Sequence, residues 1–257
     1  MAQYNDVFKR KEIKFLLDNE QYTALYEKLL QIAAVDGYGL TDINNIYFDT
    51  DDFSLIRTSL DKPAYKEKLR LRSYGTPGED TDVFIEIKKK YDGIVYKRRI
   101  AVPYRQAVRY LYDSEPLPEN YRSQILREID YLRACYGALE PAMRISYKRI
   151  AMAGLQDPGL RITFDSDIVW STDSLLLTDS PAVRRILEPG QRLMELKIAR
   201  AYPLEIARML SELEIRPVSF SKYGRGYLQL ASENGRYISH YSYADSVPAA
   251  QKKVRYA

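Results

Sequence analysis

The segment Tyr65-Lys-Glu-Lys-Leu-Arg-Leu-Arg72 places a cation at every second position. In an extended strand residues i, i+2 and i+4 share a face, so Lys66, Lys68, Arg70 and Arg72 project from one side and Leu69 and Leu71 from the other. The same parity groups Arg10, Glu12 and Lys14, then Glu86, Lys88 and Lys90, and later Glu195 with Lys197. Their neighbours Ile13, Phe15, Ile85, Ile87, Leu196 and Ile198 are apolar, which marks the opposite face as the buried one. For one strand, a polar face turned to water explains the pattern. Repeated over several strands it does not, because cross-strand neighbours stand about 4.5–5.5 Å apart and like charges there repel. A multiply charged anion enclosed by such strands turns the repulsion into attraction. At an effective dielectric of about 20, one charge pair at about 4 Å is worth roughly 4 kcal/mol before desolvation. Glu12, Glu86 and Glu195 interrupt the cations, and carboxylate oxygens suit Mg²⁺ or Mn²⁺ bridging to phosphate oxygens. For Glu12 and Glu86 the alternative is internal ion pairing that spaces the cations.

The composition limits other chemistry. The chain has 257 residues, 39 Lys+Arg against 35 Asp+Glu, one Cys, one His and 23 Tyr. With 46% hydrophobic and 29% charged residues it reads as a globular chain able to bury a full core. Cys135 alone cannot form an intrachain disulfide, and one Cys with one His cannot make the usual zinc site, so any metal must be held by oxygen. A Ser-His-Asp or Cys-His centre would have to recruit His240 from a polar, Tyr-rich end segment. The opening MAQYNDVFKRKEIKFLL lacks an apolar signal core, and no stretch approaches the roughly 18–20 apolar residues of a membrane span. The expected location is the cytoplasm, with a membrane-protein partner at the inner face of a membrane left open. Nucleic acid is not expected as a partner, because the basic residues share strands with carboxylates and most tyrosines fit apolar faces.

The elements that must position these residues follow from pattern. A strand is expected over Phe8–Leu17, then a helix capped by Asp18 with Tyr22, Leu25, Tyr26, Leu29, Leu30 and Ala33 at helical spacing. Asn44–Asp49 reads as a short strand and Phe53–Leu60 as a helical turn. Tyr65–Tyr74, Val83–Tyr91 and Ile94–Val102 alternate with period two, the last two joined by Asp92-Gly93, a hairpin signal. Pro103–Tyr112 and Tyr121–Tyr136 read as helices, Ala142–Ala153, Leu160–Val169 and Arg192–Ala199 as strands, and Pro203–Leu213 and Ser221–Ala231 as helices. The fold class expected is α+β: an antiparallel sheet closed into a barrel, with flanking and inserted helices. One domain is expected over 1–234, followed by a loosely ordered polar tail over 235–257.

These residues carry a family resemblance. Arg10-Lys-Glu-Ile-Lys14 resembles the first-strand motif of the triphosphate tunnel metalloenzymes, the CYTH-like superfamily. The chain is similar specifically to the VTC domain, its polyphosphate polymerase branch. Asn45-Ile-Tyr-Phe-Asp49, Lys68-Leu-Arg-Leu-Arg-Ser-Tyr-Gly75, Phe84-Ile-Glu-Ile-Lys88, Arg144-Ile-Ser-Tyr-Lys-Arg149, Leu160-Arg-Ile-Thr-Phe-Asp165, Met194-Glu-Leu-Lys197 and Phe220-Ser-Lys222 follow in the family's order, over about positions 8–230.

The resemblance implies that Lys14, Arg70, Arg72, Lys88, Arg149 and Lys222 grip the reacting phosphates. It implies that Tyr147, Arg161, Lys197 and Ser221 bind substrate, with Lys68 beside them, and that Glu195 holds the metal. Ser219 stands where the family has a further Lys, and Lys66 or Lys68 is the candidate to compensate. The implied reaction moves the γ-phosphoryl of ATP onto a polyphosphate chain with Mn²⁺ or Mg²⁺. Such transfer depends on positioning and charge stabilisation rather than on a protein nucleophile. Hydrolysis of inorganic or nucleoside triphosphate in the same tunnel, and a polyphosphate-binding module without turnover, are the alternatives.

Overall fold

In a computed structural model of the chain, residues 11–92, 94–157, 159–198 and 203–235 are described. Among them are nine strands and six α-helices. β1 (Lys11–Leu17) leads into α1 (Asn19–Leu29), whose start is fixed by a reciprocal cap: Gln21 N–H donates to Asp18 Oδ1 at 2.8 Å, and Gln21 Oε1 accepts from the Asp18 amide at 3.3 Å. The helix is shorter than its spacing suggests. Leu30 is exposed and Ala33 opens β2 (Ala33–Asp49), a strand of 17 residues of which only the end from Asn44 was expected. Gly37 and Gly39 interrupt the pattern of its first half, and Gly39 has a positive φ of 59°.

α2 (Ser54–Leu60) precedes the meander β3 (Tyr65–Tyr74), β4 (Asp82–Tyr91) and β5 (Ile94–Pro103), which matches the expected segments to within a residue. α3 (Tyr104–Leu111) follows. The second inserted helix, α4 (Gln124–Tyr136), begins later than expected because Ser123 accepts the Leu126 amide at 3.1 Å and a 3₁₀ turn, Glu119–Tyr121, takes the preceding residues. β6 (Glu140–Gly154), β7 (Arg161–Ser171), β8 (Arg184–Arg185), β9 (Arg192–Ile198), α5 (Leu204–Glu212) and α6 (Lys222–Glu233) complete the order. β8 is too short to show a period. The Phe8–Arg10 part of the first expected strand, His240 and the tail from 236 lie outside the described residues.

The hydrogen-bonded strand order is β1-β9-β7-β6-β2-β3-β4-β5, with β8 on β7. It is an antiparallel path with β1 and β5 at its ends, and the closure expected of a barrel is not part of this order. No helix among the described residues is long and apolar enough to cross a membrane.

The chain divides into two compact units. The first holds 42–146 and 169–184. Its core sets the apolar faces of β3 and β4 (Leu69, Leu71, Ile85, Ile87) against α3 and α4 through Tyr110, Leu126, Ile129 and Leu132. The second holds, among described residues, 11–41, 147–168 and 185–235. In it Phe15, Leu17, Phe164, Met194 and Leu196 pack with Leu25 of α1 and Leu210 of α5. In both units the buried apolar residues alternate along the strands with charged ones, so apolar burial on one face dictates which side chains stand on the other. Leu71 is fully buried. Leu71→Ala should lower the unfolding free energy by about 2–5 kcal/mol, read from urea denaturation.

Candidate functional site

In the first unit the register of β2, β3, β4 and β5 builds one charged face. Asn45 stands opposite Arg72, Tyr47 opposite Arg70, Arg70 opposite Glu86, and Glu86 opposite Arg99. Glu86 is buried at 1% exposure and sits among four cations: Arg70 at 2.6 Å, Lys97 at 2.6 Å, Arg72 at 3.6 Å and Arg99 at 4.0 Å. Burial opposes its charge, but Arg70, Arg72 and Lys97 outweigh it and hold the carboxyl well below the usual carboxylate range. Arg72 is further fixed by donating from Nε to Asn45 Oδ1 at 2.8 Å, and Asn45 Nδ2 donates to the Ile145 carbonyl at 2.9 Å. Arg70 donates to Tyr47 Oη at 3.0 Å. The guanidinium planes are thus oriented before any ligand arrives. Lys97 feels desolvation first, then the attraction of Glu86 against the repulsion of Arg70 and Arg72, and its amine is pushed down to about 8.

The second unit repeats the theme with a different carboxylate. Asp165 on β7 is fully buried and accepts from Arg149 Nε at 2.6 Å and Nη2 at 2.7 Å, a two-pronged pair, and from Lys222 Nζ at 2.5 Å. Tyr147 lies under both cations, its ring centre 4.5 Å from Lys222 Nζ and 5.2 Å from the Arg149 guanidinium carbon. Lys222 reaches this place because Ser221 caps α6, accepting the Gly224 amide at 3.1 Å. Lys14 stands opposite Glu195, and Glu12 opposite Lys197. Lys14 Nζ donates to the Phe220 carbonyl at 2.7 Å, which ties β1 to the segment before α6. Glu195 is buried, pairs with Lys197 at 3.0 Å, and faces Thr163 across β7. Burial disfavours its charge, yet Lys197, Lys14 and Lys222 hold it well below the usual range.

Among the described residues no three His, Cys, Asp or Glu side chains gather at one point. Mg²⁺ and Mn²⁺ do not require such a cage when phosphate and water supply most of the shell. Glu195, kept ionised, and Glu12, its diagonal neighbour across the β1–β9 pair, are a donor set of that kind. Glu86 serves its four cations instead.

The family model of the VTC domain matches residues 9–231. The chain belongs to the VTC domain family. Among solved structures, a candidate adenylate cyclase from Bacillus halodurans is 15% identical, with a TM-score of 0.52 over 82% of this chain and 95% of that one, and shares its fold. A candidate adenylyl cyclase from Hippeastrum, described as having a dominant triphosphatase activity, is 13% identical with a TM-score of 0.48 over 89% and 97%. The Mimivirus capping enzyme triphosphatase is 10% identical with a TM-score of 0.35 over 79% and 87%. No curated protein matches the chain.

In this VTC domain the expected residues fall into two groups. Lys68, Arg70, Arg72, Glu86 and Lys88 share the charged face of the first unit. Lys14, Tyr147, Arg149, Glu195, Lys197, Ser221 and Lys222 belong to the second unit, with Glu12 and Arg161 exposed there. Arg161 stands opposite Lys197 on the face that also carries Thr163 and Asp165. Ser219 is exposed, one residue before the buried Phe220.

Four residues were not singled out from the sequence. Lys97 and Arg99 could have been: reading Asp92-Gly93 in the sequence as a two-residue hairpin signal puts Glu86 opposite Arg99 and Lys88 opposite Lys97, as the register has them. Asp165 and Asn45 lay inside quoted motifs, but only the fold shows which cations they hold. Asp165→Ala, which leaves two largely buried cations facing each other, should destabilise the protein by about 3–5 kcal/mol in urea denaturation.

Proposed function

We propose that this VTC domain is a metal-dependent polyphosphate polymerase that transfers the γ-phosphoryl of ATP onto the end of a growing phosphate chain. The observation that supports it most is the charged face around Glu86. Four cations converge on one buried carboxylate, with further lysines beside them, a stock of positive charge beyond what one glutamate neutralises. In the reaction a terminal oxygen of the acceptor chain attacks the γ-phosphorus, the bond to the β–γ bridging oxygen breaks, and ADP leaves. Arg70, Arg72 and Arg149 offer planar forks to non-bridging oxygens, while Lys14, Lys88 and Lys222 act as point charges able to follow a moving chain. Tyr147 donates to a phosphate oxygen. Glu195, with Glu12 beside it, would hold a divalent cation, Mn²⁺ or Mg²⁺, which would supply neutralising charge to the triphosphate. A closed tunnel around the chain is part of the same proposal.

Incubation of the purified protein with ATP and Mn²⁺ should yield long phosphate chains together with ADP. Release of inorganic phosphate without chain growth would make the protein a triphosphatase, and tight chain binding without ATP turnover a binding module. Arg72→Ala should lower kcat/KM by about 10²–10³-fold; full activity in this variant would remove Arg72 from the site.

A pH dependence follows from Lys97. Its amine loses its proton as pH rises through about 8, so the face becomes less cationic above that pH. Triphosphate affinity should therefore fall between pH 7 and pH 9. In Lys97→Arg, which stays charged, affinity should exceed that of wild type by a margin that grows over this range in calorimetric titrations, the ligand's own titration being common to both proteins.

A further inference from the structure

At one end of the charged face of the first unit the chemistry changes. Lys68, Arg70 and Arg72 follow one another at alternate positions of β3, and the next residue of that parity is Tyr74. The register sets Tyr74 opposite Ile43 and Arg72 opposite Phe84. Ile43 is buried and Phe84 half-buried. Three apolar side chains, two of them aromatic, thus border the arginines on a face that elsewhere carries charge. The Tyr74 ring meets the Phe84 ring in a T-shaped arrangement with centres 5.7 Å apart, and the guanidinium carbon of Arg99 lies 4.4 Å from the Phe84 ring centre. Arg99 is also one of the four cations around Glu86.

Tyr74 is 48% exposed, although Arg72 and Glu86 on the same face are buried. A fraying strand end would explain an exposed ring, but this end is anchored. Gly75 N–H donates to the Asp42 carbonyl at 2.8 Å, and the Gly75 carbonyl accepts from Ser73 Oγ at 2.7 Å and from Asn44 Nδ2 at 3.1 Å. Cross-strand packing explains the contact with Phe84, but a buried ring would serve it as well. Residues of one parity are about 6.6–6.8 Å apart along a strand, so Tyr74 lies about that far from Arg72 and about 13 Å from Arg70. A ligand that lays its phosphates on the arginines and reaches Tyr74 must pass from anionic to flat and apolar over this distance. A nucleoside triphosphate does so, with phosphates first, ribose next and base last. A bare phosphate chain does not.

We propose that Tyr74 is the stacking platform for the base of a nucleoside triphosphate, with Phe84 holding its ring and Arg99 joining the platform to the phosphate site. Because Phe84 orients the ring beforehand, little freedom is lost when a base settles on it. Every base has a π-face, so the platform separates nucleotides from inorganic triphosphate rather than one base from another. The proposal rests on the reading above in taking Arg70 and Arg72 as phosphate-binding; it does not require chain growth.

The test titrates wild type, Tyr74→Ala, Tyr74→Leu and Tyr74→Phe calorimetrically with inorganic triphosphate and with the β,γ-imido analogue of ATP, at one ionic strength and one Mn²⁺ concentration. Tyr74→Ala should bind the analogue about tenfold more weakly, with triphosphate affinity within about twofold of wild type, which also shows that the variant is folded. Tyr74→Leu, which keeps an apolar side chain against Phe84, should show the same selective loss, and Tyr74→Phe should match wild type for both ligands. Equal loss for both ligands would make Tyr74 a support of the phosphate site, no loss for either would make it a plain surface residue, and loss in Tyr74→Phe would assign the effect to the hydroxyl; each result overturns the proposal. Wild type that binds triphosphate but not the analogue would overturn it too and leave the phosphate site standing. Wild type that binds neither ligand would refute the functional reading itself.

Discussion

One buried carboxylate, Glu86, makes the charged face of the first unit possible. Without it, Arg70, Arg72, Lys97 and Arg99 would face one another across strands spaced for hydrogen bonding, in a setting that strips away much of their water. With it, the four cations are held at defined positions, and the positive charge left over is available to a ligand. Asp165 has the same relation to Arg149 and Lys222 in the second unit. Each unit thus combines an apolar face that supplies stability with a polar face whose cations are held by buried acids, Glu86 in the first and Asp165 with Glu195 in the second. The acids also give the fold a pH limit. Glu86, Glu195 and Asp165 all have lowered pKa values in the folded state. The stability they contribute is present above the unfolded carboxyl pKa and is lost as pH falls toward the folded values.

Much of this was legible in the sequence because strand parity is a strict rule. Once Leu69 and Leu71 are assigned inward, Lys68, Arg70 and Arg72 have only one other side to occupy; Leu69 and Leu71 are fully buried, Lys68 and Arg70 are half-buried, and Arg72 is buried among its polar partners. The meander over β3, β4 and β5 was legible for the same reason, helped by the hairpin signal of Asp92-Gly93 in the sequence. What was lost involved elements that parity does not govern. The first half of β2 carries two glycines and has largely exposed side chains, so it shows no alternation to read. The start of α4 was set by a single serine hydroxyl rather than by the apolar period.

The site was legible in residue type but not in partnership. Sequence offered Glu86 both as a metal ligand and as an ion-pair partner, and those readings differ only in what stands within a few ångströms. In the fold four cations stand around Glu86, two of them directly opposite it in the register, and three lysines stand around Glu195. Lysine and arginine, interchangeable in a charge count, share the two acids: Glu86 holds three arginines and Lys97, and Asp165 holds Arg149 and Lys222. The near balance of 39 cations and 35 anions over the whole chain hid this local excess.

If the charged face takes a polyphosphate anion, as we propose, binding should stabilise the folded protein beyond what ionic strength alone supplies. Thermal melting with inorganic triphosphate, compared with sodium chloride at matched ionic strength, tests this most directly. Triphosphate at about 100 times its dissociation constant should add about 2.7 kcal/mol, a rise of roughly 5–11 °C in Tm for a protein of this size. A rise no larger than that given by chloride would contradict the account.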